Sequence, residues 1–294
     1  MLYQVPSPNP LEFVANEFAP PCRAFKSSGV FQSLEITLST AIVVPLLDLI
    51  RETATDYEDQ REAGPKERAH VSDADVLRMR ATPRELETLL ALFNPDFPRT
   101  GVIRVDATDV TNVVRACALL RLRLRRTRFA HVSDAEIESG DALDPERCPG
   151  EAKSAVMCYL FLATLQETIL QSKNMWQASG SWWRRVADAV KAFLGPRPPT
   201  WTTEAKPPAL GVDRSPVERW RVVVLNDPVN LMSYVSMAFQ IVIGLPPDAA
   251  ALRMREVHEQ QRSIVWKGTE KEAAEKMRAL HVWHLTAVIE RDVD

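Results

Sequence analysis

The sequence predicts an α+β protein: a mainly α-helical first part, a proline-rich linker, and a small α/β sandwich of three strands and three helices. Three observations carry this. Apolar residues recur at spacings of three and four behind helix-capping signals through much of the first two hundred positions. Prolines then crowd the stretch from Gly195-Pro196-Arg197-Pro198-Pro199 to Pro216. After it, short β-branched runs alternate with helical periods. The 294 residues suffice for two such units, with expected bounds at 1–194, 195–219 and 220–294.

At the amino end, Met1 to Pro21 mixes prolines, asparagine and acids and lacks the basic-then-apolar order of a secretory signal, so the chain reads as unexported. Arg23 to Ile36, with Ser27-Ser28-Gly29 between apolar runs, reads as a small hairpin. Leu38 to Ile50 is interrupted by Ser39, Thr40, Pro45 and Asp48, and Ala155 to Leu165 is shorter than the roughly 20 apolar residues that span a bilayer. Both read as buried core, and no membrane partner is expected.

In Thr82-Pro83-Arg84-Glu85 the threonine can cap, the proline fits a first turn and the glutamate can reach back. Leu86, Leu89, Leu90 and Phe93 then make one stripe. A longer helix is expected from Asp109 to Arg126, with Val110, Val113, Cys117, Leu120 and Leu124 inward. Another covers Glu151 to Ile169, with Cys158, Phe161, Leu162, Leu165 and Ile169 on its core side. Ser181 to Leu194 supplies a further amphipathic segment. The repeated His-Val-Ser-Asp-Ala at residues 70–74 and 131–135 places Ser72 and Ser133 three residues before an acid, as a helix cap requires.

Charge and motif content narrow the function. Residues 220–294 carry a net charge of -1 and the rest -2, so neither part is a polyelectrolyte, and the balance argues against general nucleic-acid attraction. Arg115 to Arg128 nevertheless contains six arginines and no acid. On the expected helix Arg115, Arg123 and Arg126 point away from the apolar stripe, as a solvated or salt-bridged face or as a docking surface for an acidic partner or RNA. Four cysteines, Cys22, Cys117, Cys148 and Cys158, lie far apart and suit a reducing cytoplasm. Phosphate-cradling, zinc-protease and nucleophile-elbow motifs are missing, and no cofactor or enzyme activity is expected.

In the last quarter, Trp220 to Leu225 reads as a strand ending on Asn226-Asp227. Asn230 is placed to cap a helix with Met232, Val235, Phe239 and Val242 inward and Gly244 at its end. Pro247 to Gln260 is a second helix with Ala250, Met254 and Val257 inward and His258 at the border of that face. Arg262 to Trp266 is a second strand. Thr269 to Glu272 is a capping box that opens a third helix with Ala273, Met277 and Leu280 inward, and Leu285 to Glu290 alternates as a third strand. His281 and His284 lack a third ligand candidate and read as structural.

The run R-W-R-V-V-V-L-N-D-P-V-N-L-M-S-Y-V followed by M-R-E-V-H-E resembles the ClpS family of adaptors, over the whole of residues 220–294. The resemblance implies a ClpS-like sandwich that delivers proteins with destabilising amino-terminal residues to a Clp AAA+ unfoldase. By position it implies that Asn226, Asp227 and His258 bind a substrate's α-ammonium group. The chemistry agrees: an ammonium has three donors and no acceptor, and an amide oxygen, a carboxylate and a neutral imidazole nitrogen can each take one. Val224, Val235, Met254, Val257 and Leu285 would line an apolar cup, with Met232 as a gate against β-branched first residues. Asn230 stands where the family has a threonine, and Pro228 where an acid is common. Lys276 matches a lysine of the family's unfoldase-docking helix, and Lys271 stands where an acid is usual. The first part, in F-K-S-S-G-V-F-Q-S-L-E-I and in its length, resembles an uncharacterised helical domain encoded beside ClpS in actinobacteria. The competing expectation is a ribosome- or RNA-associated protein, since this small fold also resembles the end domain of a ribosomal stalk protein and the arginine helix could bind RNA.

Overall fold

The computed structural model describes residues 22–27, 30–37, 43–62, 83–139, 143–145, 148, 150–172 and 219–292. The fold is mixed, with a helical amino-terminal part and a carboxyl-terminal sheet-and-helix layer. The expected helix at Ser181 to Leu194, the Thr82 cap, the Ser72 cap and nearly all of the linker lie outside the described residues.

Strands β1 (Cys22–Ser27) and β2 (Val30–Thr37) form the antiparallel hairpin that the sequence suggests. A third strand, β3 (Val102–Asp106), pairs antiparallel with β2 and was not anticipated. Its five residues bury Ile103 and Val105 and expose Arg104 and Asp106, an alternation too short to stand out in the sequence. Helix α1 (Val43–Glu62) begins inside the segment read only as buried core. Pro45 sits in its first turn, where a missing N–H breaks no helical bond, so the proline marks a beginning rather than an interruption.

Helices α2 (Pro83–Ala91), α3 (Phe97–Thr100), α4 (Val110–Thr127), α5 (Asp134–Ser139) and α6 (Gly150–Ser172) follow. Helices α4 and α6 pack along each other, and the expected stripe Val110, Val113, Cys117, Leu120 and Leu124 is buried. The cap before α5 forms as read: Ser133 N–H and Oγ both bond Glu136 Oε2, and Glu136 N–H returns a bond to Ser133 Oγ.

The arginine cluster is the main departure. Arg121 is fully buried between α4 and α6, donating to Gln166 Oε1 at 3.0 Å with its guanidinium 4.8 Å from the centre of the Tyr159 ring. Arg115 and Arg123 take the salt-bridged form of the expected face, not the solvated one. Their side chains are only 12% and 13% exposed and pair with Glu85 and Glu52. Arg125 pairs with Asp134 at 2.8 Å, while Arg126 is exposed as expected. An 18-residue helix this deeply packed cannot keep most of its arginines on one wet face, so they become internal ties.

Strands β4 (Trp220–Leu225), β5 (Arg262–Gly268) and β6 (Ala287–Arg291) form an antiparallel sheet in the order β5-β4-β6. Helix α7 (Met232–Ala238) runs into a π turn at Phe239–Ile243 that stops at Gly244, whose φ of 86° is left-handed. Helices α8 (Pro247–Gln260) and α9 (Glu270–Val282) complete the layer, and the Thr269–Glu272 capping box is present. Asn230 does not cap α7; Leu231 is the cap residue, and the Asn230 amide instead donates to His284 O at 3.3 Å.

The two parts pack directly. Arg115 on α4 donates to the Val282 carbonyl at the end of α9, Ser233 on α7 donates to Glu167 on α6 at 2.5 Å, and Asn226 donates to Glu138 on α5 at 3.2 Å. Glu85 is wholly buried at this junction, against Arg115 and 3.8 Å from His284 Nε2. Buried acids need such partners, which is the work its carboxylate does here.

Candidate functional site

The site is built where β4 ends. Leu225 N–H donates to Thr286 O and Asn226 N–H to Gln261 O, both at 2.9 Å, which fixes the exit of the strand between its neighbours. Asp227 Oδ1 accepts from Val229 N–H at 2.9 Å, so the local turn is closed by the carboxylate itself. Asn226 Nδ2 donates to Glu138 Oε1 at 3.2 Å and to Gln261 Oε1 at 3.1 Å. With the –NH2 committed twice, the side chain offers its carbonyl oxygen as an acceptor.

Three successive carbonyls of the turn after α9 are each held by a side chain. Arg115 takes Val282 O, Tyr234 Oη takes Trp283 O at 2.9 Å, and Asn230 Nδ2 takes His284 O. The turn so held includes His284 at φ 57° and presents Leu285 next to it. Asn230 is 7% exposed, and its Oδ1 is buried with no hydrogen-bond partner. An orphan acceptor in a folded protein is uncommon and points to a missing donor.

One pocket is lined by Asn226, Asp227, Asn230, Met232, Val235, Met254, Val257, His258 and Leu285, together with Val224, Leu225, Pro228, Thr286 and Glu138. All nine expected substrate-contacting positions therefore meet in one place, from β4, the following turn, α7, α8 and the turn after α9. The pocket is partly open, and its innermost free space is about 20 Å³, room for a water or so. Movement of a lining side chain would widen it further. Met232, half-buried in the first turn of α7, has the flexible side chain suited to that.

A second, open groove of about 500 Å³ shares Asn226, Asp227, Pro228 and Thr286 with this pocket and runs out past Leu122, Arg125, Arg126, Ala130 and Asp134 of the helical part. Lys271 and Lys276 line neither. Lys271 is exposed on α9, and Lys276 donates to Val242 O at 2.8 Å, at the end of the π turn. His281 and His284 are buried, with His281 Nε2 2.8 Å from Ala287 O, and no cluster of metal-ligating side chains occurs among the described residues.

Comparison with known proteins adds the decisive observation. Residues 215–285 match the family described as "ATP-dependent Clp protease adaptor protein ClpS". Over 73 residues the chain is 41% identical to the ATP-dependent Clp protease adapter protein ClpS of Streptomyces avermitilis, covering 25% of this chain and 70% of that protein. The chain belongs to the ClpS family. The ClpS protein of Streptomyces coelicolor is 40% identical over 73 residues, 25% of this chain and 76% of the relative. That of Rhodococcus opacus is 34% identical over 90 residues, 31% of this chain and 80% of the relative.

The ClpS region is thus a carboxyl-terminal domain of a longer chain. ClpS family adaptors are non-catalytic, and the chain is not an enzyme. No helix among the described residues is long and apolar enough to cross a membrane. Sequence reasoning missed Leu225, Thr286 and Glu138 among the lining residues, and Glu138 is the one that comes from the helical part. It lies 88 residues before Asn226, and no local pattern around it signals a pocket.

Proposed function

We propose that this chain is a cytoplasmic adaptor that binds proteins through a free α-amino group and a bulky apolar first residue, and passes them to a Clp AAA+ unfoldase. The observation that carries the reading is the meeting of Asn226, Asp227, Asn230 and His258, all acceptors, on the wall of a pocket otherwise made of Val224, Met232, Val235, Met254, Val257 and Leu285. An ammonium group satisfies carboxylate, amide oxygen and neutral imidazole together, and the orphan Asn230 Oδ1 gains a donor from the first residues of the bound chain. The first side chain fills the apolar cup once Met232 swings, and the rest leaves along the open groove. Lys271 and Lys276 on α9 are proposed as contacts for the unfoldase, and residues 1–194 as a helical unit joined through the 195–219 linker to the 220–294 domain against which it packs.

A fluorescence-polarisation titration of the full-length protein with peptides beginning Phe, Leu, Val and acetyl-Phe tests the recognition step. Tight binding of Phe and Leu, weak binding of Val and loss of acetyl-Phe is the expected order. Equal binding of all four, or of none, rejects the reading. Asp227→Ala or His258→Ala should weaken the Phe peptide by about 2 to 5 kcal/mol if the amine is buried against them.

A further inference from the structure

We propose that Glu138, carried by the helical part, is a member of the amine-reading set, positioning Asn226 and adding a second negative charge beside the incoming ammonium. This rests on the reading of the pocket as an amino-terminus site.

The geometry assigns Glu138 two tasks. Its Oε1 accepts from Asn226 Nδ2 at 3.2 Å, sharing that –NH2 with Gln261 Oε1 at 3.1 Å. An asparagine amide held at two hydrogens has one usable orientation, with its oxygen free to accept. Remove one anchor and the amide can turn over, presenting donors to a cation. The second task is electrostatic. Glu138 and Asp227 line the same small pocket, so two carboxylates repel until a cation comes between them. A site that holds two such groups favours a charged amine over a neutral amide beyond what Asp227 alone provides.

Glu138 is not a stray side chain on a loose loop. Its helix, α5, is capped by Ser133 and Glu136, tied to α4 by the 2.8 Å Arg125–Asp134 pair, and anchored by Ile137, which is fully buried beside it. A charged group mounted on a fixed element can orient a neighbour in a way that a mobile one cannot. The buried, unpartnered Asn230 Oδ1 in the same pocket is an independent sign that a donor belongs there. The helical part therefore acts as one wall of the recognition site.

The test uses full-length wild type and the variants Glu138→Gln, Glu138→Ala and Glu138→Asp. Each is titrated with a fluorescent peptide beginning Phe and with the same peptide begun by 3-phenylpropionyl, which lacks only the amine. Gln keeps an oxygen for Asn226 but removes the charge, so affinity for the Phe peptide should fall about tenfold, the span of one modest charge contact. Ala removes both tasks and should fall further, with Asp recovering part. Affinity for the amine-free peptide should stay at the wild-type level in all variants. Unchanged binding of the Phe peptide, or an equal loss for both peptides, overturns the role of Glu138 while leaving the amino-terminus reading intact. If wild type itself fails to separate the two peptides, the amino-terminus reading fails and takes this one with it.

Discussion

The guanidinium of Arg115 donates two hydrogen bonds, at 3.2 and 2.7 Å, to the carbonyl of Val282, 167 residues further along the chain. Val282 closes α9, so an arginine of the helical part caps the carboxyl end of a helix in the ClpS domain. The same turn carries the carbonyls held by Tyr234 and Asn230 and leads into Leu285 of the pocket. Packing between the two parts is thereby linked to the shape of the pocket.

Arg115→Ala would leave Glu85 buried without its cation and the Val282 carbonyl without its cap. Breaking a buried pair from one side typically destabilises by about 3 to 5 kcal/mol. Urea unfolding should show a loss of that order, and Arg115→Met combined with Glu85→Leu should recover more than half of it. Additive losses in the double variant would contradict the pairing.

Burial raises the Glu167 carboxyl above its ordinary value, with the Ser233 and Gln171 hydrogen bonds pulling the other way. A raised acid is easier to protonate folded than unfolded. It therefore favours the folded state fully below the ordinary carboxylate range, and this contribution is lost as pH rises through the folded-state value. Glu167→Gln should remove that slope while keeping an amide that can bond Ser233. Denaturation midpoints from pH 4 upward, wild type against variant, check it; parallel curves would show that Glu167 does not titrate differently in the folded state.

Burial also pushes the Cys117 thiol up to about 12 and the Cys158 thiol up to about 11. Thiolate is the reactive form, so neither should react with iodoacetamide at pH 8 in the folded protein. Both should label once the chain is unfolded in guanidinium. Fast native labelling at either residue, located by mass spectrometry, would show that α4 and α6 do not pack as described.

Gly244 ends the π turn at φ 86°, and a side chain there meets no neighbouring atom within 4 Å. The cost of Gly244→Ala is then backbone strain alone, about 1 to 2 kcal/mol. Thermal unfolding should register it. A loss several times larger would mean that the turn also bears on α8 and the Met254 wall.

Much of the ClpS domain is legible because its signals are local. The β-branched run of β4, the Thr269–Glu272 box and the helical period that puts Met254 and Val257 one turn apart need only their neighbours. The resemblance supplied Asn226, Asp227 and His258 as a set, and the turn and α8 bring them to one wall. What stayed hidden depends on distant residues. The burial of Glu85 depends on Arg115 and His284 closing round it, and that of Arg121 on Gln166 and Tyr159 of α6. Glu138 became a pocket residue only through packing across the junction, which no periodicity encodes.

The most direct measurement is a methyl and imidazole NMR titration of the full-length protein with phenylalaninamide and with N-acetylphenylalaninamide. The free amine should shift the methyl signals of Met232 and Met254 and the ring signals of His258 together, while the acetylated compound leaves them in place at the same concentration. Equal shifts with both compounds, or none with phenylalaninamide at millimolar concentration, would contradict a pocket that reads the α-amino group.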